Sequence, residues 1–178
     1  KGFAEDPFGD WVYIAGGSFG LMKMSISDFN SADCDPADMG QRDGCYQTMT
    51  LDDLDHRDRR ETDQWVYSVQ TMQHKNKDLL LASFAEQGAS TLRVYDHKAA
   101  RHAHGPIKPM LIIRLPTSTT DKDGERVSGI AYDIAVNGTD AYIAMGLQGI
   151  VRVNLSDLRR PRTVRGPLIE GPGETIFD

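Results

Sequence analysis

Apolar positions in this chain gather in short runs separated by Gly, Asn, Asp and Pro, and the clearest runs fill residues 129–158, GIAYDIAVNGTDAYIAMGLQGIVRVNLSDL. Residues 131–136 are an apolar run with one acidic break, followed by Asn137-Gly138. Asn-Gly tolerates the two positive φ values of a type I′ turn, so a hairpin is expected, with residues 141–145 returning. Gly146 and Gly149 bracket a second turn, after which Ile150, Val151, Val153 and Leu155 predict a third strand rich in β-branched residues. Both faces of these strands carry apolar side chains, so the sheet should be covered on both sides.

The same pattern recurs. Residues 11–29, WVYIAGGSFGLMKMSISDF, align without a gap onto residues 140–158 at an offset of 129, with seven of nineteen positions identical. The identities include Tyr13/Tyr142, Gly17/Gly146, Gly20/Gly149 and Asp28/Asp157, and Lys23 stands opposite Arg152. This is an internal repeat. A weaker copy lies between: residues 65–70, 78–84, 90–96 and 110–115 predict four strands in succession. The units then run over residues 64–116 and 128–170, with 163–169 as an outer strand that Pro167 marks as an edge. The first unit, 8–29, shows no innermost strand and is followed by an insertion over 30–63, whose residues 51–55 suggest a helical turn. Residues 97–109 and 116–127 read as connections.

Four-stranded units of about 40 to 50 residues in tandem predict an all-β fold, a partial β-propeller spanning 1–178 as a single domain; a β-sandwich of the same hairpins is the alternative. The sequence Ala141-Tyr142-Ile143-Ala144, then Gly146, then a strand ending Val153-Asn154-Leu155-Ser156-Asp157 with Pro161 beyond, resembles the blades of LVIVD-repeat propellers. Asn154 replaces the family's first Asp, Leu158 stands where its first Pro is common, and the middle copy keeps only Tyr95-Asp96. The resemblance covers about two thirds of the chain. It implies a propeller, often secreted or at the cell surface, with no shared catalytic residues. Closed propellers use at least about four blades, so further blades are expected from more of the same chain or from another subunit. The start at Lys1 rather than Met fits a partial chain.

Composition adds constraints. A hydrophobic content of 39% with 26% charged residues is that of an ordinary globular domain, and no run approaches the roughly 20 apolar residues of a membrane span. The net charge of −6 sits entirely in residues 30–63, with ten acidic residues against four basic. Nucleic-acid binding is not expected, because the one basic run, Arg159, Arg160, Arg162 and Arg165, reads as a solvated loop and edge strand.

Several residues could carry chemistry. Cys34 and Cys45 are the two cysteines; a disulfide closing that loop would contribute roughly 3 kcal/mol, and two free thiols are the alternative. Asn137-Gly-Thr and Asn154-Leu-Ser are glycosylation sequons. His102 and His104, at i and i+2 of an extended segment, could reach one transition metal such as Zn²⁺, Cu²⁺ or Fe, with Asp96 or His97 as a third ligand. A solvated polar loop is the simpler reading of these histidines. Asp121, Asp123 and Glu125 around Gly124 begin like a Ca²⁺ loop without the distal Glu, although a plain turn is the simpler reading, and Asp33, Asp35 and Asp38 offer a second Ca²⁺ reading. Trp11, Tyr13, Trp65, Tyr67 and Tyr142 read as core aromatics on strands. Gly16-Gly-Ser-Phe-Gly is a repeat turn, since Met145-Gly-Leu-Gln-Gly matches it. No nucleophile elbow or phosphate-binding glycine loop occurs in the sequence.

The expected function is therefore a non-catalytic binding or scaffold module contacting a protein or glycan through blade-end loops. An enzyme with a metal-assisted site in the propeller channel is the alternative, and a structural subunit of an extracellular assembly is a third reading.

Overall fold

The computed structural model describes residues 2–5, 9–29, 47–49, 64–86, 89–116, 118–120 and 126–165. The fold is all-β, built from three four-stranded antiparallel sheets, each a simple meander. Sheet 1 runs β1 (Phe3–Glu5), β2 (Trp11–Ala15), β3 (Leu21–Ser25) and β4 (Gln47–Thr48), with a single helical turn α1 (Ile26–Phe29) after β3. Sheet 2 runs β5 (Gln64–His74), β6 (Lys77–Glu86), β7 (Ala89–Asp96) and β8 (Leu111–Arg114), with helix α2 (His97–His102) between the last two. A two-stranded ribbon, β9 (Ser118–Thr120) with β10 (Arg126–Ser128), leads to sheet 3. That sheet runs β11 (Asp133–Asn137), β12 (Asp140–Ala144), β13 (Ile150–Asn154) and β14 (Arg162–Arg165).

The sheets stack face to face with sheet 2 in the middle, because its strands are apolar on both faces. Leu80, Ala82, Phe84 and Tyr95 point into one core shared with Tyr13, Ala15 and Leu21 of sheet 1. Leu79, Leu81, Leu92 and Val94 point into a second core shared with Ile134, Ala141, Ile143, Val151 and Val153 of sheet 3. Alternate residues along β6 thus serve opposite neighbours, as the period of two in a strand requires. Three layers with a doubly covered centre depart from a two-sheet sandwich.

Polar contacts register the layers. Gly17, in the β2–β3 turn, exchanges both backbone hydrogen bonds with Val66, at 3.0 Å each. Between sheets 2 and 3, the Ser68 hydroxyl donates to Asp133 Oδ1 at 2.7 Å, and the Ser90 hydroxyl donates to the Gly129 carbonyl at 3.3 Å. His74 Nε2 lies 3.2 Å from the Ser156 carbonyl oxygen.

The repeat is visible at the ends of the third strands. Ser25 Oγ accepts from the Asp28 amide at 3.0 Å, Asp96 Oδ1 from the Ala99 amide at 3.0 Å, and Asn154 Oδ1 from the Ser156 amide at 3.2 Å. In every sheet a short polar side chain ends the strand by capping the turn that follows.

Several expectations are corrected. Sheet 1 has an innermost strand after all, Phe3–Glu5, paired with Val12–Ile14 and too short to show alternation. β4 falls inside the segment read as an insertion, so the intervening stretch separates the third and fourth strands of sheet 1. The connection over 97–109 contains α2, and that over 116–127 contains the β9–β10 ribbon. Finally, Asn137 pairs with Asp140, so the β11–β12 turn is Gly138-Thr139. Gly138 has φ of 59° and Thr139 is not left-handed, which fits a turn with glycine at its first central position rather than type I′.

Candidate functional site

The framework leaves three places where side chains gather beyond the needs of the sheets. The first is the seam where α2 reaches back from sheet 2 onto sheet 1. Asp96 caps α2 and turns His97 inward, where its Nε2 lies 3.1 Å from the Tyr13 hydroxyl and the two rings meet edge to face at 5.4 Å. Lys23 is buried beside them, and its ammonium donates to the carbonyls of Ala100 at 3.0 Å and Arg101 at 2.8 Å. Those are carbonyls of the last turn of α2, whose dipole favours a cation. The ammonium also lies 4.4 Å from the centre of the Trp11 ring. Loss of solvation by burial holds Lys23 below its ordinary pKa. At the rim, Arg101 pairs with Asp10.

Next to this seam is a cavity of about 360 Å³ at the end of sheet 2. The β5–β6 turn supplies Asn76, Lys77 and Asp78, and α2 supplies Lys98, Arg101 and His102. Polar and charged groups line it, in an arrangement suited to holding a ligand by hydrogen bonds and charge.

The third place lies toward the opposite end of β5. Its register slips between Val66 and Ser68, leaving Tyr67 as an extra, unpaired residue. Such a bulge sends two consecutive side chains to one side of the strand. Tyr67 and Ser68 accordingly both reach toward sheet 3, Tyr67 to Tyr132 and Ser68 to Asp133. Trp65 stacks against Tyr67 with ring centres 6.2 Å apart and planes 26° apart; Tyr132 meets Tyr67 edge to face at 5.5 Å. Trp65 is 45% exposed and Tyr132 41%. Burial, and then the neighbouring Tyr132, push the Tyr67 phenol above its ordinary pKa. Sequence reasoning assigned Trp65 and Tyr67 to the core; the signal it passed over is that Trp65, Val66 and Tyr67 supply large apolar groups to both faces at once.

Of the histidines proposed as metal ligands, His97 is buried against Tyr13 while His102 and His104 are exposed beyond it, since α2 replaces the extended segment that would have aligned them. Among the described residues no group of three or more His, Cys, Asp or Glu side chains converges to hold a metal. Cys34, Cys45, Asp33, Asp35, Asp38, Asp121, Asp123 and Glu125 lie outside the described residues. The sequon Asn137 ends β11 and is exposed. Asn154 is half-buried, and its amide donates to Asp140 Oδ1 at 2.6 Å, so its side chain already has a structural task. Arg159, Arg160 and Arg162 are exposed.

No family model, curated protein or solved structure matches the chain. Among the described residues no helix is long and apolar enough to cross a membrane.

Proposed function

We propose that the three sheets are consecutive blades of a β-propeller akin to the LVIVD-repeat propellers, and that the chain is a non-catalytic binding or scaffold module contacting a protein or glycan through its blade ends. Support for the propeller comes from the stacking order, with β1, β5 and β11 the first strands of successive meanders and each sheet laid on the next. The observation that carries the binding reading is the cavity between the β5–β6 turn and α2. It lies where two connections of the sheet 2 meander, the β5–β6 turn and α2, come together, and it is lined by groups able to contact a polar ligand.

An array of glycans and peptides probed with the chain and with a Lys77→Ala/Lys98→Ala/His102→Ala variant tests this reading. At least one ligand class should bind the unaltered chain and lose about tenfold or more in affinity with the variant, at unchanged β-sheet circular dichroism. Uniform silence across the array, or turnover of ester, phosphoester or glycoside substrates, overturns it.

A structural role in a larger extracellular assembly is favoured by one specific feature. The face of sheet 3 that carries Tyr142 and Arg152 corresponds to the face of sheet 1 that sheet 2 covers, yet Ala144, Ile150 and Arg152 on it are exposed. A further four-stranded sheet, from the same chain or another subunit, would continue the stack there.

A further inference from the structure

We infer that Trp65, Tyr67 and Tyr132, with the Asp133 carboxylate at their edge, form a platform for a neutral oligosaccharide. The inference rests on reading the chain as a binding module, and it places a ligand site at the end of sheet 2 opposite the α2 cavity. Large aromatic surface left in water on a regular strand is costly, at roughly 25 cal/mol per Å² of apolar area. Here it is held in place from below. A Cβ added at Gly17 would come within 3.3 Å of the Trp65 ring, and one at Gly146 within 3.0 Å of the Tyr132 ring. These two glycines are repeat equivalents, at φ of 66° and 60°. Each aromatic side chain at the ends of the row therefore lies against bare backbone, which fixes its position before any ligand arrives.

The chemistry of the row selects the ligand. A pyranose offers apolar C–H faces and a rim of hydroxyl groups, and the platform offers their complement. Trp65 and Tyr132 are exposed, and so is Asp133 next to Tyr132. Asp133 is exposed, and its hydrogen bonds from Ser68 and Ile134 both end on Oδ1. Trp65 and Tyr132 stand at the two ends of the row, 6.2 and 5.5 Å from Tyr67 between them, and so offer two separate ring surfaces to a chain of sugars. The exposed Asp133 carboxylate beside the rings disfavours sulfated or uronic chains. The Tyr67 bulge supplies the remaining element, since without it Tyr67 and Ser68 would face opposite sheets.

The test is calorimetric titration of the full chain with cellohexaose and chitohexaose, alongside a heparin hexasaccharide, tetramethylammonium and an unstructured neutral peptide. A Trp11→Phe background makes Trp65 the sole tryptophan for a parallel fluorescence titration. A neutral hexasaccharide should bind saturably and shift Trp65 emission to the blue. Trp65→Ala and Tyr132→Ala should each weaken binding about tenfold or more, and Trp65→Phe by less. Both residues are substantially exposed, so the variants should keep their melting temperature, which is checked. The inference is overturned if neither neutral sugar saturates below about 10 mM, if the alanine variants bind as well as the unaltered chain, or if heparin, tetramethylammonium or the peptide is the ligand that the aromatic variants lose. If the unaltered chain binds neither neutral sugar while the Lys77/Lys98/His102 variant still loses the ligand found on the array, this inference alone fails and the binding-module reading stands.

Discussion

Tyr13 and Lys23 in sheet 1 and Tyr142 and Arg152 in sheet 3 occupy the same positions of the same repeat, as cross-strand partners on the second and third strands. Their surroundings differ completely. Tyr13 and Lys23 are 0% and 1% exposed, covered by sheet 2 and pinned by α2. Arg152 has a side chain 48% exposed and pairs laterally with Asp140 at 2.7 Å. Lysine suits the covered site because its compact ammonium can enter a pocket of backbone carbonyls, whereas arginine suits the open one because its planar fork meets a carboxylate at the surface. The repeat therefore specifies the strands, and the neighbour decides what each exposed position becomes.

The largest expected effect that tests this contrast is on stability. Tyr13→Ala should cost about 3–5 kcal/mol in urea unfolding, the usual range for emptying a large aromatic site, while Tyr142→Ala should cost less than about 1 kcal/mol. Equal losses would mean that the two faces are equally covered in solution. Next comes the cation pair. Lys23→Met leaves two carbonyls of α2 without their donor and should cost about 1–3 kcal/mol, against at most about 0.5 kcal/mol for Arg152→Met. Its pH dependence has a defined sign. Because the folded state holds Lys23 below 10.5, the folded chain gives up this proton before the unfolded chain does. Stability from this group then rises with pH from the folded value up to 10.5, and Lys23→Met should abolish that rise. Tyr95, which burial pushes up to about 12, acts oppositely above pH 10, so the Lys23 term is read as the difference between variant and parent. The smallest effect is at Asp140. Hydrogen bonds from Arg152 and Asn154 hold its carboxyl below 3.8, so its contribution is present above 3.8 and fades as pH falls through the folded value. Asp140→Asn should flatten that part of an acid titration, and added salt should weaken the effect in the parent, since the pair is at the surface.

Much of the fold was legible because strands of sheets 2 and 3 combine β-branched runs with glycine turns. The repeat register between residues 11–29 and 140–158 reappears in space in the equivalent pairs Tyr13–Lys23 and Tyr142–Arg152. What escaped is local and short. β1 has three residues, and α2 has six, marked only by Asp96 before an Ala-Ala pair. The turn slipped by one residue because the Asp133–Asn137 ladder continues through Asn137 to Asp140. The candidate sites were harder still. Tyr67 reaches Tyr132 through a bulge, and a single-residue insertion in a strand leaves no mark on an apolar pattern. His97 was visible as a residue, but its role as a partner of Tyr13 depends on a contact across 84 positions that spacing cannot express.

That last separation also bears on how the chain is made. The partners of Tyr13 and Lys23 lie 84 and 77 positions downstream. At synthesis rates of about 5–20 residues per second, His97 follows Tyr13 by roughly 4–17 s, and follows the last strand of sheet 1 by roughly 2–10 s. Until β5 to β7 have emerged the aromatic ring and the ammonium group lack their cover, and until α2 follows they lack their hydrogen-bond partners. Release of a nascent chain stalled just before residue 97 should therefore leave sheet 1 sensitive to protease, and extension by α2 alone should be the step that protects it.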